Sequence, residues 1–189
     1  MDIIELLENR GLDTSRRIKM LRHQDQRYDV HDLYKTGRFE AYQSVQGHDR
    51  LNCDYVVSFL GLKKARSLFV GVWRVLGSRP RSDVARDPAF PFPEWYDDGD
   101  TFFYDLEEVS GFEDMKDRVV IDWGRSTRSW HQWLNRKRPK TVIEILPVGH
   151  VAEFPGYQDF ILSFDELKRI VENPDANRIW HVMLGAVAG

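Results

Sequence analysis

The chain has 189 residues, one domain plus extensions at about 150 residues per domain. Its 42% hydrophobic and 13% aromatic content supports a buried core and excludes disordered or collagen-like classes. Lys and Arg number 27 against 30 Asp and Glu, for a net charge of −3, so the overall charge favours neither nucleic acid nor an anionic membrane as partner. The lone Cys53 excludes an intrachain disulfide and fits a reducing, cytoplasmic compartment. Met1–Glu5 lacks the basic and apolar regions of a leader, and no apolar run approaches the ~20 residues of a spanning helix. A cytoplasmic protein with no membrane contact is expected.

Ile3, Ile4, Leu6 and Leu7 have helical spacing, with Gly11 as a stop. Residues 1–17 are expected to form an N-terminal helical extension, and 18–189 the main domain. Between Ser15 and Gln46, Val30, Leu33, Tyr34, Phe39 and Tyr42 suggest one or two short helices broken at Gly37. Strands are expected over 54–60, 67–76, 101–107, 118–123, 141–146 and 159–162, from their β-branched and aromatic content and turn-rich flanks. Residues 163–174 and 179–187 have helical patterns. The expected fold class is α+β, a curved sheet or barrel of about six strands with flanking helices. Residues 78–100, with Pro80, Pro88, Pro91 and Pro93, read as a long loop, either functional or a surface insertion.

Charge is segregated along the chain. Residues 61–81 hold Lys63, Lys64, Arg66, Arg74, Arg79 and Arg81 and no acid. Residues 123–140 hold Arg125, Arg128, Arg136, Lys137, Arg138 and Lys140, again without an acid, whereas 82–117 carry twelve acids and two bases. If the basic segments converge on one face they can displace counterions from phosphates; otherwise they are solvated loops.

Most catalytic and metal-binding patterns are missing. Gly71 and Gly77 are not followed by the Lys-Ser/Thr of a phosphate loop, and the six histidines never pair at i, i+4. Asp159 with Glu166 and Lys168 matches a nuclease spacing only superficially, because the latter two fall in a helical pattern. Cys53 has no local activating partner. No catalytic residue, metal site or cofactor is expected.

The aromatic residues are more informative. Trp73 precedes Arg74, and Asp122-Trp123-Gly124-Arg125 leads to Arg128, Trp130 and Trp133. Indoles among arginines can stack an unpaired base while guanidinium groups hold phosphates. Equally, Trp73 can be core, and Trp130 with Trp133 can form one inward helical face.

Glu40-Ala41-Tyr42-Gln43-Ser44-Val45-Gln46, Asp54–Gly61, Leu68–Val75 and Val120-Ile121-Asp122-Trp123-Gly124 with Thr127–Trp130 together resemble the N-terminal domain found upstream of bacterial GIY-YIG nuclease domains. The resemblance spans about residues 18–187 and is most specific at the Asp-Trp-Gly…Arg-Ser-Trp string. That domain is similar to the PUA-like group, which includes EVE, ASCH and YTH domains, so it implies a PUA-like curved β-barrel that binds nucleic acid or reads a modified base. The chain shows no nuclease Gly-Ile-Tyr segment, so no catalytic residue of the nuclease is carried over.

The expected function is therefore a noncatalytic DNA-binding specificity module that reads a modified base in an aromatic pocket, as in modification-dependent restriction. The expected partners are DNA with a modified cytosine and a GIY-YIG endonuclease in cis or in trans. An RNA-binding PUA-like module and a protein-interaction domain are the alternatives. Pocket candidates are Trp123, Trp130, Trp73 and Tyr42 for stacking, and Asp122, Ser58, Gln43 and Gln46 for the base edge. Phosphate candidates are Arg125, Arg128, Lys63, Lys64, Arg136 and Lys137.

Overall fold

A computed structural model describes residues 1–24, 29–47, 51–62, 65–79, 101–124 and 131–148. The expected strand at 159–162 and the helices at 163–187 lie outside them, as do residues 80–100 of the long loop; Ser78 and Arg79 belong to a strand.

Helix α1 (Ile3–Glu8) starts at a capping box, in which the Asp2 carboxylate accepts from the Glu5 N–H and the Glu5 carboxylate accepts from the Asp2 N–H, each at 3.0 Å. Gly11, at φ +84°, ends the turn after it by donating its N–H to the Glu8 carbonyl. Strand β1 (Ile18–His23) is followed by helices α2 (Val30–Lys35) and α3 (Phe39–Gln43), separated at Gly37 (φ +72°), and then by β2 (Val45–Gly47). The remaining strands are β3 (Tyr55–Gly61), β4 (Arg66–Arg79), β5 (Thr101–Glu108), β6 (Val119–Asp122), β7 (His131–Trp133) and β8 (Val142–Ile145).

These strands form one mixed, curled sheet in the order β2-β5-β4-β3-β1-β7, with β6 and β8 branching from β4. The α+β curved-barrel architecture is thus present. β1 runs parallel to β3, and the other named pairs are antiparallel. Strand β4 pairs with β3 along one edge; on its other edge it pairs first with β6 and then with β5. Its register slips at Val70 against β3 and at Leu76 against β5, and each slip is followed by a glycine at positive φ, Gly71 (+153°) and Gly77 (+150°). Such bulges bend a strand and increase its twist, which curls this sheet.

One face of the sheet packs Ile18, Met20, Val57, Phe59, Phe69, Val119, Ile121 and Trp123 against α1 and Leu12. α1 and Leu12 thus pack into the same core as the sheet, and the Ile3 N–H also donates to the Lys140 carbonyl. The opposite face is covered by α2 and α3, through Val30, Phe39 and the half-buried Tyr34 and Tyr42, on Leu60, Val70 and Trp73.

Three strands depart from the sequence expectation. β1, Ile-Lys-Met-Leu-Arg-His, is buried at every position, including Lys19, Arg22 and His23. Its charged residues mask a central strand because their stems are apolar: the Arg22 side chain crosses the core face, and its Nε donates to the Ser67 hydroxyl at 2.7 Å. β2 is too short to give an alternation. Trp133 lies in β7 and not on the helical face suggested by its spacing from Trp130, which is outside the described residues.

Replacing Asp2 with Ala removes the N-cap acceptor of α1. Urea denaturation should show a loss of about 1 kcal/mol, with an unchanged m-value because the same surface is buried.

Candidate nucleic-acid interface

Five of the predicted pocket residues meet on the α2–α3 side of the sheet. Ser58 on β3 stands in register with Gly71 on β4. The missing side chain at Gly71 is what lets the Trp73 indole lie back across the strand: a Cβ there would come within 2.6 Å of the ring. Trp73 Nε1 points to the Glu40 carboxylate on α3 at 3.4 Å, a long contact. Phe39 lies at the centre of the aromatic group, with ring centroids 6.0 Å from Trp73, 6.4 Å from Tyr42, 5.6 Å from Tyr34 and 4.9 Å from His23.

The polar members are chained together. Ser58 Oγ donates to Gln43 Oε1 at 2.7 Å, and Gln46 Nε2 donates to the Gln43 backbone carbonyl at 2.7 Å. Gln43 is 0% exposed, yet its amide nitrogen has no acceptor among the described residues. His23 Nε2 is buried without a partner as well. Burial holds the His23 imidazole neutral by lowering its pKa to about 3. His23 was not foreseen as a member of this cluster, because β1 was not recognised as a strand; the alternation Lys19, Leu21, His23 places it there.

Trp123 does not join this group. It is 0% exposed on the other face, edge-on to Phe59 with centroids 5.8 Å apart. Its carbonyl accepts from Lys140 Nζ, and that ammonium also lies 5.3 Å from the ring centre. The indole with the most specific sequence context is thus a core residue, held in place by a cation. Asp122 is exposed at the end of β6, where its carboxylate accepts from the Gly124 N–H. Trp130, Arg125, Arg128, Lys63 and Lys64 lie outside the described residues.

The basic segments are partly neutralised. β4 and β5 bring the basic and acidic segments side by side, so Arg74 pairs with Glu107 (3.5 Å) and Arg79 with Asp105 (3.2 Å). Arg66 pairs with Glu144, and Arg136 with Glu8 at 2.6 Å. Lys137 remains exposed on the turn that follows β7. Among the described residues, no group of three or more His, Cys, Asp or Glu side chains is placed to hold a metal ion, and no helix is long and apolar enough to cross a membrane. No protein-family model, curated protein or solved structure matches the chain.

Because His23 is buried neutral, the unfolded chain binds one more proton at this position between about pH 6.5 and pH 3. Stability contributed here is intact above the unfolded-state pKa and falls with acidification through that window, by at most ~1.4 kcal/mol per pH unit. Urea midpoints between pH 7 and pH 5 should decline in the wild type and decline less steeply in His23→Phe.

Proposed function

We propose that the chain is a noncatalytic nucleic-acid-binding module that reads a base at the cluster formed by Gln43, Ser58, Tyr42, Trp73 and Gln46. The observation that carries this is the Gln43 amide. Its oxygen is held by Ser58, which fixes the orientation of the group, and its buried NH2 has no acceptor among the described residues. An unsatisfied buried donor costs about 1–3 kcal/mol, which an acceptor on a bound base edge would offset. Amides with one oriented end read base edges, and flat rings beside them supply stacking.

Gln43, Ser58, Gln46 and Trp73 are buried, so in this proposal a base reaches them when α3 turns away from β4, against the packing of Phe39 on Trp73. α3 has five residues, and Arg38 at its N-terminus supplies no side-chain cap. The resemblance to the domain upstream of GIY-YIG nucleases extends the proposal to a modified cytosine in DNA, with the nuclease, in cis or in trans, as the cutting partner.

Titrating the full chain by fluorescence anisotropy with matched oligonucleotides carrying cytosine, methylcytosine or hydroxymethylcytosine should reveal a preference for one modified form. Gln43→Leu, which leaves the fold's melting transition in place, should weaken that form about tenfold, or about 1.4 kcal/mol, and leave plain DNA unchanged. Equal affinity for all three oligonucleotides removes base reading. Tighter binding of the matched RNA replaces DNA with RNA as the partner.

A further inference from the structure

The largest exposed aromatic side chain among the described residues is Trp133, 49% exposed on the edge strand β7. Two cations are ranged over its ring, Lys19 Nζ at 5.0 Å and Arg17 Cζ at 5.4 Å from the centroid. Arg17 makes its side-chain hydrogen bond to a neutral group, the Asn52 amide oxygen, at 3.0 Å. Strand β7 leads directly into the turn that carries the exposed Lys137 and Arg138, and the Leu134 N–H, donating to the Ile18 carbonyl, fastens the start of that turn to the beginning of β1. This edge therefore combines a half-exposed indole with the exposed basic side chains of Arg17, Lys137 and Arg138, while Asp54 accepts from the Arg17 backbone N–H and Glu8 pairs with Arg136.

Sheet register fixes where this edge lies relative to the base-reading cluster. Trp133 pairs with Lys19, Lys19 with Val56, and Val56 with Trp73. Directly paired residues project from the same face of a sheet, so the exposed and the buried indole belong to one transverse row. Three strand spacings separate them, about 14 Å along the sheet.

We infer that Trp133, with the exposed Arg17 beside it, is a second nucleic-acid contact, a stacking platform that takes an unpaired base and its phosphate on the strand leading to the Trp73 cluster. The inference rests on the base-reading proposal for its direction, but its own chemistry is independent of base identity. An indole stacks any base, and the exposed Arg17 guanidinium beside it can meet the backbone. A purely acidic protein partner would use the cations and leave the exposed ring unexplained.

The test uses the full chain and fluorescein-labelled single-stranded oligothymidylate, which offers stacking and phosphate but no modified cytosine. Wild type should bind with strong salt dependence. Trp133→Ala should weaken binding at least about fivefold, and Trp133→Phe should restore most of the loss. Arg17→Gln should reduce the slope of log K against log salt by about 0.7, the value for one single-strand phosphate contact. Wild-type binding of oligothymidylate that is lost in Trp133→Ala, together with equal affinity for the three cytosine forms, marks failure of the reading cluster alone and leaves the platform standing. Oligothymidylate binding by Trp133→Ala equal to wild type, in a variant with an unchanged melting transition, overturns the inference; so does absence of binding by the wild type at low salt.

Discussion

The bending of β4 under pairing from both edges is the constraint from which the rest of the molecule follows. A strand bonded to β3 on one side, and on the other first to β6 and then to β5, cannot remain flat while serving all three partners. The extra residues Val70 and Leu76 absorb the mismatch, and Gly71 and Gly77 supply the positive φ that a side chain would resist. One face of the curled sheet packs on the Trp123 core and the other is covered by α2 and α3. The same Gly71 vacates the space in which Trp73 lies, so the bend and the aromatic cluster have one origin.

Charge segregation has a more local meaning than the composition suggests. The basic run of β4 and the acidic run of β5 are neighbours across a ladder, and much of their charge is spent on exposed cross-strand pairs, each contributing little to stability. Around β7 and the residues before β1, Arg136 and Arg16 are paired with Glu8 and Asp13, whereas the Arg17 side chain bonds the neutral Asn52 and Lys137 lies exposed. The pairing of β1 with β7 is what brings Arg17 beside Trp133, two residues far apart in sequence.

The elements with a helical spacing or a run of β-branched and aromatic residues were legible in the sequence: α1, the broken α2–α3 pair, and strands β3, β4, β5, β6 and β8. β1 was hidden by Lys19 and Arg22, whose charged ends conceal stems that pack like aliphatic chains. β2 and β7 have three residues each, too few for a period to show. At the candidate site, Tyr42, Gln43, Gln46, Ser58 and Trp73 were singled out one by one, and the fold gathers them. Trp123 was misplaced, because an indole before Gly124 at a strand end has the same local sequence whether it lines a pocket or fills a core; only the face it occupies on β6 separates the two.

The parallel pairing of β1 with β3 has a mechanical corollary. Two neighbouring parallel strands cannot be joined by a tight turn, so the chain must travel away and return, and here α2, α3 and β2 occupy that excursion. The cover over the polar cluster is thus a handle whose two ends are clasped by adjacent central strands. It is stitched down a third time by the pairing of β2 with β5 and by the Tyr104 N–H on the Ser44 carbonyl, so the segment just after α3 is tied to a strand two places away from β3 across the sheet.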